Sequence, residues 1–97
     1  IMYKENITPI DSPLEKITKL RGVEFDYKNT NEHSIGMIAE EVNDIFPELV
    51  AKDDKGDITA MSYTRMTAVL LEAVKELTEE VRELKAKNNY TKQKGKN

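Results

Sequence analysis

The chain has 97 residues, 38% hydrophobic and 34% charged, with no cysteine and one histidine. That confines it to one domain with a small core and excludes a disulfide framework, a cysteine metal site and a zinc site built on histidine alone. Its net charge of −3 is segregated: five lysines and no acid fall in residues 85–97, which leaves the first 84 residues at −8. No apolar run approaches the roughly 20 residues that span a bilayer, and Ile1-Met2-Tyr3-Lys4 lacks a signal-peptide core. A soluble protein is expected, with no membrane partner and with further chains supplying the buried surface that so small a domain lacks.

Taken in chain order, Ser12-Pro13-Leu14-Glu15 has capping-box spacing with proline at the first helical position, and Gly22 follows as a stop. This predicts a helix over about 13–21 whose Leu14, Ile17 and Leu20 form one apolar stripe. Val23-Glu24-Phe25-Asp26-Tyr27 alternates apolar and charged, the period-two pattern of a half-buried strand, and the polar run Lys28 to Ser34 reads as a surface loop. Within that run His33 has no acid–nucleophile spacing around it and reads as surface. Ile38, Val42, Ile45 and Phe46 then fall at helical spacing, as core residues, until Pro47 ends the pattern.

Leu49-Val50-Ala51 and Ile58-Thr59-Ala60-Met61 flank Lys52-Asp53-Asp54-Lys55-Gly56-Asp57, whose glycine and aspartates suit a hairpin turn. Counted from Asp53, the loop puts Lys55 at the third position of a calcium loop and Thr64 at the twelfth, where a bidentate glutamate is required. Neither a metal nor another cofactor is expected, and no glycine loop that could cradle phosphate is present.

From about Ser62 to about Lys87 the pattern is helical, roughly 25 residues or near 40 Å at 1.5 Å per residue. Leu70, Val74, Leu77, Val81 and Leu84 repeat at 4-3-4-3 spacing, with the valines at heptad position a and the leucines at d. Glu80 then falls at g and Lys85 at the following e, a charge pairing suited to parallel neighbours. A second row, Met66, Val69 and Ala73, widens the apolar face at the start of the helix, so that end is expected to dock on the globular part while the far end meets other copies. The seam covers only about two and a half heptads, short of the three to four that define a coiled coil by themselves. Valine at a with leucine at d nominally favours two strands. Residues 88–97 are basic but lack arginine and hold one aromatic, Tyr90, so they read as a frayed, disordered tail, and nucleic acid is not expected as a partner.

Three blocks stand in order along the chain: Lys4-Glu5-Asn6-Ile7; Ile35-Gly36-Met37-Ile38-Ala39-Glu40-Glu41-Val42, continued to Val50; and Ser62-Tyr63-Thr64-Arg65-Met66 running on to Leu77. Together they resemble the C-terminal intramolecular chaperone domain that ends many bacteriophage tail spikes, tail fibres and endosialidases. The resemblance covers nearly all of the chain. It implies one α+β domain: a cleavage-proximal segment 1–11, a globular part 12–61 with short strands and two short helices, and a long helix 62–87 that packs in a parallel homotrimeric bundle. On stoichiometry the resemblance says three where the heptads alone would say two.

The resemblance also implies a function. Such domains help the preceding spike or fibre to trimerise and template its folding, then cut themselves off, acting in the host cytoplasm during virion assembly and being released from or absent in the mature virion. The family pattern is Ser-Asp-x-x-x-Lys followed by x-Asn-Ile; Lys4, Asn6 and Ile7 match its end, and the nucleophilic serine would stand just upstream of Ile1. The chain would then be the inactive released product of a serine–lysine autoprotease, or be trimmed close to the cut. Lys4 would be the general base, with Asn6 and Ile7 supporting the cleavage motif. A lysine amine in water is neutral in only about one molecule in 2,500 at pH 7, so a base of this kind must be desolvated by packing. A permanent oligomerisation module without cleavage is the alternative reading, and the sequence immediately before Ile1 discriminates between them.

Overall fold

The computed structural model describes residues 3–95, with side chains to residue 89. Two short helices and two antiparallel hairpins form a body on which the first turns of one long helix lie, an α+β arrangement.

Helix α1 is Pro13–Ile17, shorter than the predicted 13–21 because it loosens into i→i−3 turns, Lys19 and Leu20 N–H bonding to the carbonyls of Lys16 and Ile17 at 3.0 and 3.1 Å. The expected capping box is not formed. Ser12 lies in the left-handed region at φ 46° and its hydroxyl bonds Asp11 at 3.2 Å. The Leu14 N–H, one of the orphan donors at the helix start, is met at 3.4 Å by the carboxylate of Glu76, far along the chain. Gly22 is not in a positive-φ stop conformation. The stripe nevertheless works as predicted: Ile17 and Leu20 pack against the core.

Strand β1, Val23–Asp26, pairs with β2, His33–Gly36, in the register Val23 to Gly36 and Asp26 to His33. Here the loop predicted to run to Ser34 is two residues too long. Asn31 takes φ 56° in the turn, where the Tyr27 N–H bonds the Glu32 carbonyl at 2.9 Å, and the polar segment after it is drawn into the sheet by its pairing with β1. Ile35 and Gly36 therefore end a strand instead of starting a helix. Helix α2, Ala39–Ile45, begins after Ile38 and stops before Pro47, which opens a single 3-10 turn, Pro47–Leu49. Strands β3, Val50–Lys52, and β4, Ile58–Met61, form the predicted hairpin with a bulge at Ala51/Lys52. The Asp53 carboxylate accepts from the Lys55 and Asp57 N–H groups at 3.0 and 2.9 Å and Gly56 sits at φ 87°, so this acidic loop is held by its own turn chemistry.

Helix α3, Tyr63–Gly95, starts at a true cap: Ser62 Oγ accepts from the Arg65 N–H at 3.0 Å. It passes the predicted end near Lys87, so the backbone of residues 88–95, expected to be disordered, is helical. At 33 residues it is about 50 Å long, against a molecule of 67 × 42 × 21 Å. The buried core is Val42, Phe46, Leu49, Met66, Val69 and Ala73. Met66, Val69 and Ala73 thus dock α3 on the body as their spacing predicts, and from Val74 to Asn89 every residue of α3 is exposed. No helix among the described residues is long and apolar enough to cross a membrane.

Candidate oligomerisation face and cleavage-proximal segment

Met66, Val69 and Ala73 sink into the body at the start of α3, and the predicted seam runs on along the helix beyond the body, where it stays open. Leu70, Val74, Leu77, Val81 and Leu84 are 46%, 59%, 50%, 40% and 60% exposed, a continuous apolar strip down one side of α3. Single chains rarely leave a strip of this kind open to water. The opposite side is laced by pairs at i,i+3: Lys75 with Glu72 at 3.3 Å and Arg82 with Glu79 at 3.9 Å. Glu80 and Lys85 take no part in these pairs and flank the strip.

Lys4 and Asn6 are exposed, Asn6 bending the chain at φ 55°. Ile7 is 83% exposed. From there the chain runs along α3: residues 7–10 and the helix residues Ala68, Leu71 and Glu72 border an open groove of about 450 Å³. Ile10, at its end, packs against the core. The three motif residues are therefore together at one end of an anchored segment, beside the helix that carries the strip. The structure does not bring Lys4 into a buried environment within one chain.

Three contacts give the motif blocks their physical meaning, and none of them was predicted. A Cβ built on Gly36 would stand 2.7 Å from the Tyr63 hydroxyl, and that hydroxyl accepts from the Met37 N–H at 3.3 Å. Glycine leaves room there for the tip of the half-exposed Tyr63 side chain, where the second block and the third touch. We expect Gly36→Ala to cost no more than about 1 kcal/mol, since that tip can shift, and Tyr63→Phe, which removes the obstructing oxygen, to recover part of the loss in a double-mutant cycle read by urea unfolding. Glu41 takes the Arg21 guanidinium in two bonds of 3.0 and 2.8 Å, tying the exit of α1 to α2. The bonds from Arg21 hold the Glu41 carboxyl below its usual range and raise Arg21 in turn.

His33 stands across from Asp26 in the hairpin, with Nδ1 2.7 Å from Asp26 and Nε2 3.1 Å from Glu24. Two carboxylates facing both ring nitrogens require both to carry protons. The bond to Asp26 first and that to Glu24 second raise His33 above the ordinary value of 6.5. A raised folded-state value means that the clamp's contribution is complete below the unfolded-state value and is lost as pH rises through the folded one. Amide exchange in the 23–36 hairpin should therefore accelerate on that rise beyond its intrinsic base catalysis, and His33→Ala should remove the excess. The sequence signal was present in the two acids on the exposed side of β1, but their partner lay in what read as a loop.

The family model described as "Chaperone of endosialidase" matches residues 2–51, about half of the chain. The chain belongs to the chaperone of endosialidase family. The match takes in Lys4, Asn6 and Ile7, Gly36, the Arg21–Glu41 pair and the whole of α2. Relatives extend it toward the long helix. The chain is 37% identical over 95 residues to the long tail fiber protein Gp37 of Enterobacteria phage K3, and equally to that of Enterobacteria phage T2, over 90% of its own length. It is 28% identical over 92 residues to the Gp37 of Salmonella phage S16. It spans only 8%, 7% and 12% of those proteins.

Proposed function

We propose that this chaperone-family domain is an intramolecular chaperone for a phage tail fibre or tail spike. It gathers three copies of the segment in front of it through α3, templates their folding, and is then released by serine–lysine cleavage at its N-terminal edge. The observation that carries the reading is the exposed apolar strip Leu70 to Leu84, most of it on the part of α3 that projects beyond the body. Relatives that are tail fibre proteins support the choice of client.

Extended structures of intertwined chains form slowly, because distant strands must meet before any contact offsets the lost entropy. A compact trimer behind them holds three chain ends at high effective concentration. Severing it afterwards removes the reverse route, so the product persists by its unfolding barrier. In the cut, the upstream serine oxygen attacks the adjacent backbone carbonyl while its proton passes to the Lys4 amine. The C–N bond breaks, the proton goes to the leaving nitrogen, and water hydrolyses the ester.

Lys4 is exposed in the single chain, whereas a lysine acts as a general base only where packing removes it from water. Cleavage therefore awaits the neighbouring copies that cover this end. In a precursor carrying the upstream serine, the cleavage rate is expected to fall steeply on dilution below the assembly concentration. A rate indifferent to assembly removes the gating, and an oligomer that forms without any cut supports a permanent oligomerisation module.

A further inference from the structure

At about 100° per residue the surface of α3 divides into sectors. With Val74 as origin, Val81, Leu70 and Leu77 lie within about 60° on one side, and Met66, Ala73 and Val69 continue round that side at roughly 80°, 100° and 140° into the body. Leu71 lies about 60° to the other side, and Ala68 and Glu72 beyond it, at about 120° and 160°, floor the groove under residues 7–10. The strip is thus bordered by the body on one flank and by the cleavage-proximal segment on the other. Leu71, 57% exposed, and Ile7, 83% exposed, are large apolar side chains left uncovered on that second flank, both bordering the groove.

The first flank holds a matching recess. Ile17, Leu20, Met37, Met66 and Leu70 line an apolar cleft of about 170 Å³ where α1 meets α3. In heptad terms Leu71 is at e and Met66 at the preceding g, the two positions that oppose each other between parallel helices. The same relation sets Glu80 of one copy against Lys85 of another, a charge match that favours a second copy of this chain as the occupant.

We propose that the exposed Leu71 and Ile7 side chains of one copy seat against the Ile17–Leu20–Met66 cleft of the next, and that this contact is what fixes the cleavage-proximal segment when copies associate. The inference rests on the self-association proposed above and adds the residues through which association reaches residues 4–7. Leu71 is a positioning residue in this scheme: it touches no reacting atom.

The absence of cysteine from the chain makes the test clean. Leu71→Cys chains co-refolded with tagged Leu20→Cys chains and oxidised should give a mixed disulfide product of intermediate mass. Val74→Cys chains, crosslinked at a layer shared by all copies, report self-association alone. Hydrogen exchange supplies the second reading: amides of residues 5–9 should slow at least about ten-fold in the oligomer, and Leu71→Ser should restore fast exchange while the oligomer mass stays unchanged. Crosslinking of Val74→Cys with neither the mixed product nor protection of residues 5–9 overturns this inference and leaves the proposed function standing. Chains that stay single at all concentrations overturn both.

Discussion

Replacing Val74 and Leu77 together by glutamate is expected to leave single, folded chains where the parent assembles. Both side chains are at least half exposed in the isolated chain, and surface positions of that kind usually change stability by no more than about 0.5 kcal/mol. Helicity and body unfolding should therefore be close to the parent's. In an assembled bundle the same positions face copies of themselves, so each layer would hold several like charges out of water. The effective penalty is several kcal/mol per buried ion, which moves the association constant by more than about a thousand-fold. Light scattering across a concentration series reads the mass and circular dichroism the fold. Met66→Glu is the control at a buried position of the same helix: Met66 is 3% exposed, so that variant should lose the body itself. A doubly charged strip that still assembles at the parent's concentration would sink the oligomerisation face.

Lys4→Met in the serine-bearing precursor should leave the oligomer intact and slow the cut by about two to four orders of magnitude, the usual worth of a positioned base. Methionine keeps an unbranched stem but offers no nitrogen to accept the hydroxyl proton. Lys4→Arg should be equally uncut, because a guanidinium keeps its charge at any working pH. Lys4 is exposed in the single chain, so neither change has a fold to disturb. Cleavage is followed on denaturing gels over a pH series: the parent rate should rise with pH as more amine becomes neutral, and both variants should stay flat. A Lys4→Met precursor cut at the parent rate would mean that another group takes the proton.

What could be read from the residues was whatever depends on near neighbours. The spacing of Met66, Val69 and Ala73 placed the docked start of α3, and the row from Leu70 to Leu84 placed the open strip, which stays uncovered because the helix runs on past the body. Asp53 and Gly56 announced their hairpin because an aspartate carboxylate and a positive-φ glycine make that turn locally. Segment 33–36 could not be read, since its strand character belongs to the pairing with β1 and not to its own polar residues. Ser12 had the right spacing for a cap, but Glu76 supplies a partner at the start of α1 from 62 positions further on. Gly36 needed the Tyr63 hydroxyl beside it before its small size had a reason. Motif resemblance alone singled out Lys4, Asn6 and Ile7, whose proposed roles no local pattern suggests.

Only the opening turns of α3 are held by the body, and an isolated helix of the remaining length is marginal in water, because the first turn is costly to nucleate while later residues add on cheaply. The body therefore acts as a seed crystal for its own mast. Growth is expected to run outward from Ser62, so in the proposed assembly a chain would offer its strip to neighbours only after its own body had closed.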